Sequence, residues 1–220
     1  MGSCSSSRKG GGLGGGGEGL NPRDILGTSN LLIDTNLDEV TRLEVSKTLK
    51  DFQDEYGLNY NNTRIAQITP GTGVLAYYDG EGIAINNEYL DSKTMNEAYQ
   101  KSVESGFHPS SGSKSGIEAV VSHELGHALN DMIGAKMGMD IDASATRIVN
   151  EAMKGTKHKT TDAFSSKISG YAQKSHAETV AEAISDCYCN GGKAKSESKR
   201  IKKVVDKYLQ NERNGQLTFA

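Results

Sequence analysis

Cysteine, long apolar runs and net charge are all scarce in this chain, and each scarcity limits what the protein can be. Three cysteines among 220 residues do not favour a disulfide framework, so we expect a reducing environment. No apolar run is long enough to cross a membrane, so no transmembrane segment is expected. A net charge of -3 gives no electrostatic reason to expect a nucleic acid partner.

Glycine is unevenly distributed and is densest near the N-terminus, where it follows a serine-rich start. Such a composition cannot offset the entropy of ordering by burial, so residues 1–30 are expected to form a flexible tail. We expect one domain over residues 31–212 and a short C-terminal tail over residues 213–220. Gly2 and Cys4 fit a lipidation pattern, but the adjoining glycine run makes an accidental match the favoured interpretation. No secretory apolar segment follows, so secretion is not expected.

The remaining pattern of apolar and turn residues predicts an α+β fold. Apolar residues at helical spacing alternate with short β-type runs that are bounded by turn signals. Helices are expected over residues 37–56, 92–105, 115–133, 143–153, 176–189 and 196–210, and strands over residues 63–68, 73–78 and 82–86. The loop before the third helix ends at a serine cap.

The segment His123-Glu124-Leu125-Gly126-His127 carries the most specific chemical signal. Residues four apart lie on one face of a helix, so both histidines can bind one Zn²⁺. Glu124 would then lie beside the metal, where its carboxylate can act as a general base on bound water. The alternative is a solvated helix that carries two ordinary histidines.

The helix context makes that alternative less favoured. Within residues 115–133 an apolar stripe is formed by Val121, Leu125, Ala128 and Met132. A different face holds Val120, His123, His127 and Asn130.

A catalytic zinc site needs a third protein ligand, and several downstream residues could provide it. The candidates are Asp140, Asp142, Glu151, His158, His176, Glu178 and Glu182. Glu178 and Glu182 lie one helical turn apart, so one could bind the metal while the other holds a ligand histidine by its second nitrogen. Ser175 and Glu178 also fit a capping box, which would engage Glu178 with its own helix terminus. His176 is the next candidate ligand.

These residues resemble a known family. The HELGH segment followed by Tyr-x6-Glu-x3-Glu-Ala is similar to the catalytic domain of the anthrax lethal factor-type zinc peptidases, over residues 74–189. The same core is similar to small HExxH proteins associated with tailed-phage heads and virions. The resemblance implies a zincin-like domain, in which a small sheet lies beside the active-site helix. Thr179 and Val180 replace two aromatic residues of the family pattern, so its substrate preference is not implied.

The resemblance also implies a role for each matching residue. His123, His127 and Glu178 would be the zinc ligands, and Glu124 the general base. Tyr171 would donate to the oxyanion, and Glu182 would hold a ligand histidine by its second nitrogen without binding the metal itself.

Two hypotheses of different classes follow. The first is a zinc endopeptidase that hydrolyses a peptide bond of a protein or peptide substrate. The second is a phage virion component in which zinc only stabilises the fold. We favour the first, because a structural site needs neither Glu124 nor Tyr171. The partners expected are the substrate and phage virion proteins, and the expected location is a phage virion or the host cytoplasm.

The substrate would lie against a strand. Residues 82–86 are expected to offer an edge to which an extended peptide adds by backbone pairing. Tyr78, Phe107 and His108 could line side-chain pockets, although core packing of the aromatics and a surface loop for His108 are the favoured alternatives.

Overall fold

The computed structural model describes residues 32–33, 37–60, 64–68, 74–80 and 82–210. The two expected tails, residues 1–30 and 213–220, lie outside the described residues. The helices are α1 Glu39–Tyr56, α2 Ser92–Glu104, α3 Gly116–Met137, α4 Ile141–Met153, α5 Thr161–Ser165, α6 His176–Asn190 and α7 Ser196–Gln210. The strands are β1 Leu32–Ile33, β2 Arg64–Ile68, β3 Ala76–Tyr78 and β4 Gly82–Asn86. The α+β prediction is confirmed, since the described residues are mostly helical and form one small sheet.

The sheet has the order β1-β2-β4-β3. β2 runs parallel to both β1 and β4, whereas β3 forms an antiparallel hairpin with β4. β4 therefore has a neighbour on each side, and all five of its residues are buried. The expectation that residues 82–86 form an edge for peptide pairing is wrong. Among the described strands, the two edges of the sheet belong to β1 and β3.

Local signals explain where the central helix α3 begins and ends. Ser115 accepts a hydrogen bond from the Glu118 backbone N–H, and the Glu118 carboxylate accepts one from the Ser115 N–H, which completes a capping box. Gly138 ends the helix in the left-handed conformation, with φ of 63°. The helix thus continues four residues beyond the expected end at residue 133.

Helix α3 is buried over much of its surface, because it packs against β3 of the sheet and against α1, α2, α4, α6 and α7. Val121 and Leu125 of the expected apolar stripe are buried, whereas Ala128 and Met132 are only half-buried. Val120, on the different face that carries the histidines, is buried as well. The single apolar stripe was an incomplete description, since a helix between two layers buries several faces. None of the described helices has the length and apolarity needed to cross a membrane.

Candidate metal centre

The two histidines of the HELGH segment lie one turn apart in the middle of α3. Their rings meet edge to face with centroids 5.0 Å apart. His123 is buried and His127 is half-buried, so both rings are largely removed from water. The helix therefore presents two imidazoles to one point, as the spacing predicts.

Glu178 faces these histidines from the first turn of α6. Its Oε2 lies 3.1 Å from His123 Nε2 and 3.4 Å from His127 Nε2. Ser175 caps this helix by accepting the Glu178 backbone N–H at 3.1 Å. The Glu178 carboxylate is turned to the histidines and not to the helix terminus, so only half of the capping box, the alternative role for Glu178, is formed.

The three side chains fit a metal ion. One ligand atom from each of His123, His127 and Glu178 lies within 4.8 Å of the other two. Glu178 Oε2 is buried and faces the Nε2 atoms of both rings. Two imidazole nitrogens and one carboxylate oxygen are acceptable ligands for several divalent metals. This group could therefore hold a metal ion.

Four of the other candidate ligands are engaged elsewhere, and Asp142 is exposed in the first turn of α4. Asp140 caps α4 and Glu151 pairs with Lys207. His158 lies 2.8 Å from Glu197. His176, the alternative third ligand, places Nδ1 2.9 Å from the Thr146 hydroxyl.

The cysteines of α6 also stand apart from the histidines. Cys187 and Cys189 are buried free thiols, and burial raises the pKa of each to about 12. Neither belongs to the metal-binding group found among the described residues.

Glu182 lies behind His123, on the ring nitrogen that faces away from Glu178. Its Oε1 is 2.7 Å from His123 Nδ1 and 2.9 Å from His108 Nδ1. The Ser169 hydroxyl donates to the other carboxylate oxygen at 2.6 Å. A carboxylate on one nitrogen leaves the other nitrogen of His123 available to a metal. The sequence predicts neither His108 nor Ser169 as a partner of Glu182, because these contacts join separate segments of the chain.

The charges of the centre are tightly coupled. Burial alone would raise the pKa of Glu182, but hydrogen bonds with His108 and His123 hold it at about 2. Burial would likewise raise the pKa of Glu178, yet hydrogen bonds with the two helix histidines keep it well below its ordinary value. Burial opposes a charge on His123, and the bonds to Glu178 and Glu182 outweigh it and raise the His123 pKa. The two carboxylates are therefore anions at neutral pH.

Glu124 has a different environment. Its side chain is buried, and burial raises its pKa, although the nearby charges of His123 and His127 act in the opposite direction. The backbone N–H of Tyr78 in β3 donates a hydrogen bond to it. A raised pKa makes this carboxylate a better proton acceptor than an ordinary surface glutamate.

Tyr171 approaches the same point from the short 3₁₀ helix Tyr171–Gln173. Its ring stacks on that of His123, with centroids 5.7 Å apart and planes at 28°. Burial and the neighbouring Glu178 carboxylate, which its hydroxyl bonds, raise the Tyr171 pKa well above its ordinary value. The hydroxyl is therefore protonated across the physiological range and can donate a hydrogen bond.

A pocket of about 210 Å³ opens beside these residues. Its lining includes His123, Glu124 and Tyr171 together with Phe107 and His108. The favoured core packing of Phe107 is wrong, because its side chain is 39% exposed. His108 does lie in a loop, but its side chain is half-buried against Glu182. Both rings lie where the segment around residue 107 meets the one around residue 171.

Tyr78 lines a separate pocket of about 660 Å³ further along α3. It is half-buried, and its hydroxyl lies 3.2 Å from Asp131. Burial, with the charge of Asp131, raises the pKa of Tyr78 to about 12. The side chain of Tyr78 therefore belongs to the larger pocket, while its backbone reaches Glu124.

Comparison with known proteins gives no relative. No family model matches the chain, and no curated protein or solved structure was found to be similar to it.

Proposed function

We propose that this protein is a zinc-dependent endopeptidase with a zincin-like fold, related to the lethal factor-type peptidases. The observation that carries the proposal is the convergence of five side chains from two parts of the sequence. His123, His127 and Glu178 form a group that could hold a metal, and Glu124 and Tyr171 lie against the same group. A metal site that only stabilised the fold would need neither Glu124 nor Tyr171.

The residues present fit zinc, whose catalytic sites commonly use two histidines and one glutamate. When bound by His123, His127 and Glu178, Zn²⁺ would polarise a carbonyl and lower the pKa of water. Glu182 would hold His123 by its Nδ1–H, so that Nε2 points to the ion site.

Glu124 would serve as the general base. Its carboxylate takes a proton from the attacking water and later delivers it to the nitrogen of the departing amine. The raised pKa of Glu124 suits both steps, because the protonated form must survive until the C–N bond breaks.

Tyr171 would stabilise the oxyanion that forms at the scissile carbonyl. Its hydroxyl is held beside Glu178, and its ring lies on His123. Because the position of this donor is fixed before the reaction, little free energy is spent on reorganising it when negative charge develops on the carbonyl oxygen.

The substrate would pair with β3 instead of β4. The Asn86 N–H donates to the Leu75 carbonyl, and the Asp79 N–H donates to the Gly82 carbonyl. These two bonds show which residues of the hairpin direct their backbone groups towards the partner strand. By alternation, Ala76 and Tyr78 turn their backbone groups away from β4. An extended peptide along this edge would run past Glu124, whose carboxylate accepts a hydrogen bond from the Tyr78 N–H.

The test combines metal analysis with cleavage profiling of cell and phage-lysate proteins. We expect about one Zn²⁺ per chain and defined cleavage sites that disappear with Glu124→Gln, which retains its zinc. Less than about a tenth of an equivalent of zinc after reconstitution would refute the metal centre. Full zinc occupancy with no cleavage by the wild type would instead favour the structural role in a virion.

A further inference from the structure

A third histidine, His108, and a serine, Ser169, enclose the carboxylate that supports His123. We infer that His108 and Ser169 are positioning residues for the metal centre, which act through Glu182 and do not bind the ion themselves. The inference rests on the proposed metal centre and adds two residues to it. Neither side chain belongs to the metal-binding group found among the described residues.

Glu182 is nearly inaccessible to solvent, at 1% exposure, so its charge depends on protein donors. His108 and His123 both bring Nδ1 to Oε1, at 2.9 and 2.7 Å, and Ser169 donates to Oε2 at 2.6 Å. A buried carboxylate that loses one such donor keeps its desolvation cost without compensation. It would then rotate or bind water, and either change alters the bond that orients His123.

His108 is itself held in place. Its ring stacks on Tyr99, with centroids 5.4 Å apart and planes at 15°, and it meets the Tyr171 ring edge to face at 5.1 Å. These two contacts hold the ring in the plane in which Nδ1 meets Glu182. With His108 neutral, the proton must be on Nδ1 for that nitrogen to donate to a carboxylate.

Ser169 and His108 belong to two segments that are bonded to each other. The Gly170 N–H donates to the Gly106 carbonyl at 2.9 Å, and the Tyr171 N–H donates to the Phe107 carbonyl at 2.8 Å. The backbone N–H of Ala172 also donates to the Ser169 hydroxyl at 3.0 Å. His108, Ser169 and the proposed oxyanion donor Tyr171 are therefore placed by one pair of bonded segments.

The test measures zinc affinity by competition with a chelator in four variants. His108→Leu and Ser169→Ala each remove a donor, whereas His108→Asn keeps an N–H near the position of Nδ1. His158→Leu is the matched control, because His158 also pairs with a glutamate at 2.8 Å but lies outside the metal group. Melting of the zinc-free proteins and the absorption spectrum of bound Co²⁺ are recorded in parallel.

We expect His108→Leu to weaken zinc binding about ten- to a hundredfold, as is usual for residues that support a ligand, and to change the Co²⁺ spectrum. Ser169→Ala should act in the same direction, and His108→Asn should recover most of the affinity. His158→Leu should lower the melting temperature without changing zinc affinity. The inference is overturned if His108→Leu and Ser169→Ala bind zinc as tightly as His158→Leu. A wild-type protein that binds no zinc would instead overturn the proposed metal centre, on which this inference rests.

Discussion

Gly126 and Ala181 lie so close that a Cβ on Gly126 would fall 2.7 Å from the Ala181 Cα and 3.2 Å from its carbonyl oxygen. The contact brings α3 and α6 together at the level of the metal group. Gly126 directly precedes His127, and Ala181 directly precedes Glu182. The glycine inside the HELGH segment therefore allows the helix that bears the histidines to meet the helix that bears the two glutamates.

Gly126→Ala should accordingly disturb both stability and metal binding. The obstacle is backbone, which cannot swing aside, so the helices must separate by several tenths of an ångström or more. Overpacking of this kind typically costs about 1–3 kcal/mol of unfolding free energy. Urea denaturation measures that cost, and chelator competition measures the expected loss of zinc affinity. Gly192→Ala, which meets nothing within 4 Å, is the control and should change neither. Wild-type stability in Gly126→Ala would contradict the close approach.

Tyr171→Phe should reduce turnover while leaving the metal in place. The change removes the hydroxyl but keeps the ring that stacks on His123. Loss of one oxyanion donor typically lowers kcat on the order of a hundredfold, with KM little affected. Steady-state kinetics on a substrate identified by profiling, with zinc content measured on the same sample, gives the result. A variant that lost zinc but kept its kcat per bound zinc would assign Tyr171 to ligand support instead.

The central part of the site could be predicted from sequence because it is local. His123, Glu124 and His127 lie within five residues of one helix, so helical spacing alone places them. Glu178 required a distant resemblance, because the capping signal at Ser175 competed for the same residue. The structure shows why both signals were present: the Ser175 side chain caps the helix while the Glu178 carboxylate turns outward to the histidines.

The parts that sequence did not predict depend on tertiary packing. β4 was expected at an edge because it precedes the helix in the chain, but β2 and β3 pair with it on both sides. His108 carries no local pattern at all. Its role becomes visible only when the loop that bears it pairs with residues 170–171 and brings it to Glu182, 74 residues away in sequence.

The metal-free protein should be most stable in a limited pH range. Glu182 has a pKa of about 2 in the fold against an ordinary 4.5, so its stabilising contribution is present above 4.5 and is lost as pH falls towards 2. The His123 pKa is raised above its ordinary 6.5, so its contribution is present below 6.5 and is lost as pH rises through the folded value. The melting temperature in chelator should therefore be highest between about 4.5 and 6.5.

Saturating zinc provides the comparison for that profile. Because a metal replaces the proton on His123, the decline on the alkaline side should disappear when zinc is bound. Thermal scans from about pH 3 to about pH 9, with chelator and with zinc, measure both effects. A chelated protein whose melting temperature continued to rise well above pH 6.5 would show that His123 is not charged in the fold.

Glu178 and Glu182 should differ in what they contribute to zinc affinity, although they lie one turn apart on α6. Glu178→Ala removes a proposed ligand atom that lies 3.1 Å from His123 Nε2 and leaves two histidines on the ion. Glu182→Ala removes only the group behind His123, for which losses of about ten- to a hundredfold are usual. Chelator competition should thus show the larger loss for Glu178→Ala. Glu197→Ala, which breaks the remote pair with His158, serves as the control and should bind zinc normally. If Glu182→Ala lowered zinc affinity more than Glu178→Ala, the third ligand would have to be reassigned to Glu182. The match to the lethal factor-type pattern, which assigns Tyr171 as the oxyanion donor, would then change as well.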